Sequence, residues 1–159
     1  MIILYGTSNS KKQYSDAIRI NKLLKDGKYN GYAYIIVARN PIPGDTRVLR
    51  IGHTAIGSRG LTTYRIARNY REWKQASGLQ TNMLGKYYKR EDCVVFIYPT
   101  KIPGEEAVLE AQMKVRHIKK YGQSPTFDRD INSSKFANLR SNAFLVSNEK
   151  AADLTTFMK

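Results

Sequence analysis

The first thirty residues combine a short apolar run with a segment of helical period. Residues 1–6 are mostly apolar and predict a short strand. Asn9 and Ser10 then offer an N-cap, and Gly27 offers a C-terminal stop, so a helix is expected between them. Its apolar face consists of side chains spaced three or four residues apart: Tyr14, Ala17, Ile20 and Leu24.

A β-hairpin is predicted next. Residues 31–38 are an almost continuous apolar run, typical of a strand covered on both faces. Residues 41–45 have turn chemistry because two prolines fix φ and a Gly-Asp pair favours a tight reversal. Residues 48–54 return as a second strand. Strict alternation there places Val48 and Arg50 on the face opposite to Leu49 and Ile51.

The second half of the chain predicts helices around one further strand. Helical spacing covers about residues 58–76 and, more briefly, residues 81–90. The apolar run at residues 92–99 predicts a strand, and Pro103 opens a helix that continues to about Lys120. The inward side of that helix is expected to carry Val108, Ala111, Val115 and Ile118, with His117 on its polar side. This order predicts an α+β fold with a small central antiparallel sheet of about three strands, flanked by helices.

The charge balance changes the picture most. The chain has 159 residues, 42% of them hydrophobic, which suits one domain with its own core. Its 27 Lys and Arg against 13 Asp and Glu give a net charge of +14. Self-repulsion of this size does not help folding, so a polyanionic partner is expected, and nucleic acid is the usual one. A solvated basic surface, or attraction to anionic lipid, is the alternative.

Other features narrow the setting. No apolar stretch approaches the roughly 18 residues that span a bilayer, so no membrane partner is expected. The first residues place their charges after the apolar run, which is the wrong order for a secretory signal. Cys93 is the one cysteine, which rules out an internal disulfide and a cysteine-rich zinc site. We therefore expect an intracellular, cytoplasmic protein.

Two tripeptides in the predicted hairpin carry a resemblance. Tyr32-Ala33-Tyr34 lies in the first strand and Arg50-Ile51-Gly52 in the second. This arrangement resembles the GIY-YIG nucleases, whose tripeptides occupy these two strands, followed by a helix arginine and a later helix glutamate. Tyr34 takes the place of the first tyrosine, whereas Arg50 replaces the second. The resemblance implies one domain over residues 1–159, with a nuclease core at about 31–128, an N-terminal extension at 1–30 and a C-terminal extension at 129–159.

The remaining family positions fall later in the chain. Arg59, at the start of the helix after the hairpin, fits the family arginine, and Arg65 is the next candidate. Glu110 fits the family glutamate, while Glu106 lies one turn earlier on the same face. The family asparagine has no clear counterpart: Asp128 occupies the expected place, and Asn132 and Asn138 follow.

The resemblance implies metal-dependent hydrolysis of phosphodiester bonds. Glu110 would hold Mg²⁺ or Mn²⁺, the arginine would bind the scissile phosphate, and Tyr34 would act as general base. An ordinary phenol is a poor base at neutral pH, so we expect the charge of Arg50 to lower the Tyr34 pKa. The same-face Tyr32 is a second candidate base, and His53 is expected to touch the leaving group or the base. Without the resemblance, Tyr34 is a core aromatic, His53 a hydrogen-bonded strand end and Glu110 half of a surface pair with Lys114.

The basic residues supply the expected nucleic-acid contacts. The predicted partner is double-stranded DNA, bound through its phosphates by Arg68, Arg71, Lys86, Lys89 and Arg90. The alternative is a non-catalytic basic nucleic-acid-binding protein with a degenerate nuclease site. A basic RNA-binding or ribosome-associated domain is a third possibility, but no aromatic RNP motif supports it.

Overall fold

A four-stranded antiparallel sheet lies at the centre of the protein. The computed structural model describes residues 1–55, Leu84 and residues 87–128. The strands are β1 (Ile2–Tyr5), β2 (Gly31–Ala38), β3 (Val48–Ala55) and β4 (Cys93–Thr100), in the sheet order β1-β4-β2-β3. Two long helices are described, α1 (Ser10–Asp26) and α2 (Glu105–Tyr121), with a short 3₁₀ helix at Arg90–Asp92. The predicted α+β class is confirmed, and the sheet gains a fourth strand because β1 pairs along β4.

Helix α1 covers one face of the sheet. The Asn9 side chain accepts a hydrogen bond from Lys12 N at 3.1 Å, which caps the first turn as the sequence predicted. The predicted apolar face is also confirmed. Its residues Ala17, Ile20 and Leu24 are fully buried, in one cluster with side chains of all four strands.

Helix α2 covers the opposite face, but with a different side from the one predicted. Leu109 and Met113 are fully buried there against the second cluster of the sheet, whereas Val108 is only partly buried. Of the residues expected to point inward, Ala111 is fully buried and Val108 packs against this cluster, whereas Val115 and Ile118 are only partly buried. His117 lies on the polar side as predicted, but that side faces the protein interior, and His117 is fully buried. The face that packs on the sheet therefore carries a row of polar side chains.

A β-bulge breaks the alternation of β3. Ile36 pairs with Arg50 and Val37 pairs with Val48, so Leu49 is an extra residue. Val48 and Ile51 consequently belong to the same hydrophobic cluster, on the α2 side, while Leu49 belongs to the cluster on the α1 side. The predicted division of these positions between the two faces is wrong, because strict period-two counting fails across a bulge.

The chain after α2 returns to the outer edge of β3. Gly122 ends the helix in the left-handed region at φ 72°, and His117 Nδ1 lies 2.8 Å from the Gln123 carbonyl. Phe127 N then donates to Leu49 O, the carbonyl of the bulge, at 2.9 Å. No helix in the described ranges is long and apolar enough to cross a bilayer. The helix predicted at 58–76, most of the one at 81–90 and the segment after residue 128 lie outside the described residues.

Candidate active site

The tyrosine that ends the first tripeptide packs directly on the glycine that ends the second. Tyr34 in β2 pairs with Gly52 in β3. A Cβ atom at position 52 would lie 2.4 Å from the Tyr34 hydroxyl and 2.5 Å from its Cζ. The pairing therefore requires glycine, because any side chain at position 52 would displace the phenol. Tyr32 lies on the same face, with its ring centroid 6.3 Å from that of Tyr34, but only 1% of it is exposed, so it is a core residue.

The bulge places Arg50 on the same side of the sheet as Tyr34. Arg50 pairs with Ile36, which belongs to the same hydrophobic cluster that the Tyr34 ring contacts. The guanidinium is partly exposed and close enough to Tyr34 to lower its pKa. A permanent positive charge is thus present beside the phenol, as the sequence predicted.

The pKa of Tyr34 nevertheless moves in the opposite direction to our expectation. Burial raises the Tyr34 pKa and outweighs the charge of Arg50, and the carboxylates of Glu110 and Asp128 raise it further. Tyr34 therefore keeps its proton at neutral pH. A phenol in this state donates a hydrogen bond well but accepts a proton poorly, so the general-base role is less suited to it than the sequence suggested.

A chain of three charged or titratable groups occupies the α2 side of the same strand. His53 Nδ1 is hydrogen-bonded to Glu110 Oε2, and Lys114 Nζ lies 2.8 Å from Glu110 Oε1. Burial raises the Glu110 pKa, but the hydrogen bond from His53 and the charge of Lys114 outweigh it and lower the pKa overall. Glu110 is therefore ionised and can only accept, so His53 Nδ1 carries the proton of this bond. His53 Nε2 lies on the other side of the ring and takes no part in this hydrogen bond.

Asp128 closes the outer edge of β3. Both of its carboxylate oxygens accept from Ile51 N, at 3.3 and 3.2 Å. This contact fixes the segment after α2 beside Gly52, where the Asp128 charge acts on the Tyr34 phenol. The residue in the expected place of the family asparagine thus lies at the site, although it is an anion rather than an amide.

The structure brings the central predicted residues together around one stretch of β3. Arg50, Glu110, Lys114 and Asp128 all act electrostatically on Tyr34, and His53 joins the group through Glu110. Arg90 donates to Ser10 Oγ at 2.8 Å, so its guanidinium partly serves to hold the start of α1, whereas Lys89 is exposed. The other predicted cations lie outside the described residues: Arg59, Arg65, Arg68, Arg71 and Lys86.

Two polar residues of α2 are buried although the sequence predicted an exposed pair at one of them and only an alternative metal ligand at the other. Lys114 was expected to form half of a surface pair, yet its side chain is 2% exposed. Glu106 is also buried, at 5% exposure, and lies under Gly31. The signal was present in the spacing, since polar residues at positions 106, 110, 114 and 117 recur every third or fourth residue on one helix face.

The carboxylate oxygens of Glu110 do not suit a magnesium ion as ligands. Both oxygens of this carboxylate already have partners, and one of these is a buried ammonium group. The ammonium group of Lys114, 2.8 Å from Glu110 Oε1, also repels a divalent cation at this carboxylate. Among the residues that the structure describes, no three His, Cys, Asp or Glu side chains form a group that could hold a metal ion.

Comparison with known proteins adds no second source of information. No family model, no curated protein and no solved structure matches the chain. The resemblance to GIY-YIG nucleases therefore stays a prediction from the two tripeptides. The function has to be inferred from the geometry around β3.

Proposed function

We propose that the protein is an endonuclease that hydrolyses phosphodiester bonds of double-stranded DNA. The observation that carries this proposal is the His53–Glu110 pair, placed on the strand that also carries Arg50 and supports Tyr34. An imidazole oriented by an ionised carboxylate is a common device for taking a proton from a nucleophile. On the other face of the sheet, Arg50 and Tyr34 add a guanidinium and a phenol, which suit the negative charge of a DNA phosphate.

Each side chain has a chemical task in this proposal. His53 Nε2 takes a proton from a water molecule as the water oxygen attacks phosphorus, and Glu110 stabilises the imidazolium that forms. Arg50 neutralises a non-bridging phosphate oxygen through its planar donors. Tyr34, which keeps its proton at neutral pH, donates a hydrogen bond to the oxygen of the breaking P–O bond. That oxygen then takes a proton from solvent, and the His53 imidazolium releases its proton to solvent. The base is thus His53 rather than Tyr34.

The charge of the chain suits a duplex DNA partner. The net charge of +14 attracts a polyanion over long distances, and exposed lysines add contacts that do not depend on base sequence. Exposed cations line the outer side of α1, remote from its buried face; they are Lys11, Lys12, Arg19, Lys22 and Lys25. These residues would strengthen binding without taking part in the reaction.

A plasmid-cleavage assay tests the proposal. His53→Gln removes the ring that takes the proton, and Glu110→Gln removes the anion that orients it. Each change should slow nicking of supercoiled DNA by about 100-fold or more, because general acid–base catalysis contributes factors of this size. Glu91→Gln is the matched control, since it makes the same change at an exposed glutamate to which no role is assigned. That variant should cleave at the parental rate.

The alternative function is a basic nucleic-acid-binding protein without catalysis. The engaged carboxylate of Glu110 and the protonated Tyr34 are the observations that favour it. Tight DNA binding with no cleavage, and no difference between the parent and His53→Gln, would establish this alternative.

A further inference from the structure

Helix α2 carries a buried ammonium group at the centre of the site. The Lys114 side chain is 2% exposed and lies 2.8 Å from Glu110, whose own side chain is 10% exposed. Lysine is almost never buried to this degree unless an anion compensates its charge. The chain therefore maintains a desolvated ion pair at the position where the nuclease resemblance would place a metal.

Both oxygens of Glu110 already accept a hydrogen bond. Oε1 faces Lys114 Nζ and Oε2 faces His53 Nδ1. Each oxygen keeps a second lone pair, but the ammonium group at hydrogen-bond distance repels a divalent cation that would share this carboxylate. Displacement is costly here because the ammonium would have to leave a site where its charge is already neutralised.

We propose that Lys114 takes the place of the divalent cation at Glu110, so that Glu110 orients His53 and the site works without a metal. Lys114 is a positioning residue, because it acts through Glu110 and does not face solvent. The role of Glu110 in orienting His53 for catalysis rests on the proposed function. The exclusion of a metal ion from Glu110 by Lys114 does not. The consequence is that removal of the ammonium should convert Glu110 into a metal ligand.

Manganese binding tests the proposal without reference to cleavage. Titration of the full chain with Mn²⁺, followed by electron paramagnetic resonance, compares the parent with Lys114→Met, which keeps most of the aliphatic stem. The parent should show only weak, non-specific Mn²⁺ binding. Lys114→Met should gain one site that binds Mn²⁺ at least tenfold more tightly than the parent does. Glu110→Gln in the Lys114→Met background should abolish that site. Lys119→Met, which removes an exposed lysine of the same helix, should behave as the parent.

Measurements on the parent protein keep the proposal falsifiable if Lys114→Met does not fold. Specific Mn²⁺ binding by the parent, lost in Glu110→Gln, would overturn it because Glu110 would then be a metal ligand beside Lys114. Cleavage by the parent should continue in excess chelator with less than a twofold loss of rate. Cleavage that stops in chelator and returns with Mg²⁺ would also overturn the proposal.

A rescue experiment separates positioning from mere support of the fold. Lys114→Arg keeps a positive charge beside Glu110, so it should retain at least tenfold more of the parental kcat than Lys114→Met, with KM little changed in either variant. Equal kcat values in the two variants, both folded, would refute the positioning role. A parent that never cleaves DNA would refute the proposed function, and the Mn²⁺ titration would still decide the role of Lys114.

Discussion

Replacement of Gly52 by alanine tests the contact that places the phenol at the site. The new methyl group would lie 2.4 Å from the Tyr34 hydroxyl, whereas ordinary van der Waals contact begins at 3.4 Å. Either the ring or strand β3 must therefore move by about 1 Å. The ring is held on its other side by the hydrophobic cluster of the α1 face, so it has little freedom to move alone.

The expected cost of Gly52→Ala is about 1–3 kcal/mol, the usual range for one extra methyl group in a packed region. Urea unfolding followed by circular dichroism measures this free energy. The melting temperature should fall by about 2–4 °C for each kcal/mol. Cleavage should also fall, because the displaced phenol no longer reaches the phosphate.

A double-mutant cycle shows whether Tyr34 is the cause. In a Tyr34→Ala background, Gly52→Ala should cost less than about 0.5 kcal/mol, because the obstructing ring is absent. In a Tyr34→Phe background most of the cost should remain, since Cζ of the ring is 2.5 Å from the new methyl group. Equal costs of Gly52→Ala in all three backgrounds would show that Tyr34 does not cover Gly52.

Three further predictions concern charged and titratable side chains. Arg50→Ala should raise the Tyr34 pKa further, since the charge of Arg50 lowers it. Phenolate absorbance, with Tyr34→Phe as the reference, measures this pKa, and an unchanged titration would show that Arg50 does not act on Tyr34. Burial lowers the His117 pKa, so the unfolded chain binds the proton more strongly and stability should fall as the pH drops below about 6.5, by up to about 1.4 kcal/mol per pH unit. His117→Asn keeps a donor for the Gln123 carbonyl and should flatten that slope in urea unfolding between pH 5 and 7; a slope that persists would point to other groups. Lys89→Ala should make the slope of log binding constant against log salt concentration shallower by about 0.9, as measured by fluorescence anisotropy with duplex DNA. An unchanged slope would show that Lys89 makes no phosphate contact.

Most of the fold could be predicted because each element carried a local signal. The strand at Gly31–Ala38 and the helix at Ser10–Asp26 agree with the apolar run and the capped helical period. The fourth strand could not be placed in the sheet, because pairing between β1 and β4 joins residues about ninety positions apart. The bulge at Leu49 was also missed, since an extra residue leaves no mark in composition. Local patterns thus identify elements, and long-range pairing decides how they are arranged.

The candidate site could be predicted in its members but not in its electrostatics. The two tripeptides identified Tyr34 and Arg50, and the resemblance that they carry identified Glu110; Arg50 and Glu110 both act on the Tyr34 phenol. The direction of the Tyr34 pKa could not be predicted, because it is a balance between burial and several charges. A sequence shows that Arg50 is near Tyr34 in the hairpin, but it does not show how much solvent the fold removes from the phenol.

The misassigned face of α2 explains why the site was only half visible. A polar side chain on a helix is normally taken to face solvent, since an unpaired buried charge is too costly to keep. That cost is reduced when the charges compensate one another, as they do between Glu110 and Lys114. The polar face of α2 can then be buried against the sheet beside Leu109 and Met113. A row of opposite charges at helical spacing, next to an apolar row on the same helix, is therefore consistent with a buried functional face as well as with a solvated one. The choice between the two depends on whether the facing strand supplies a polar partner, and here β3 supplies His53.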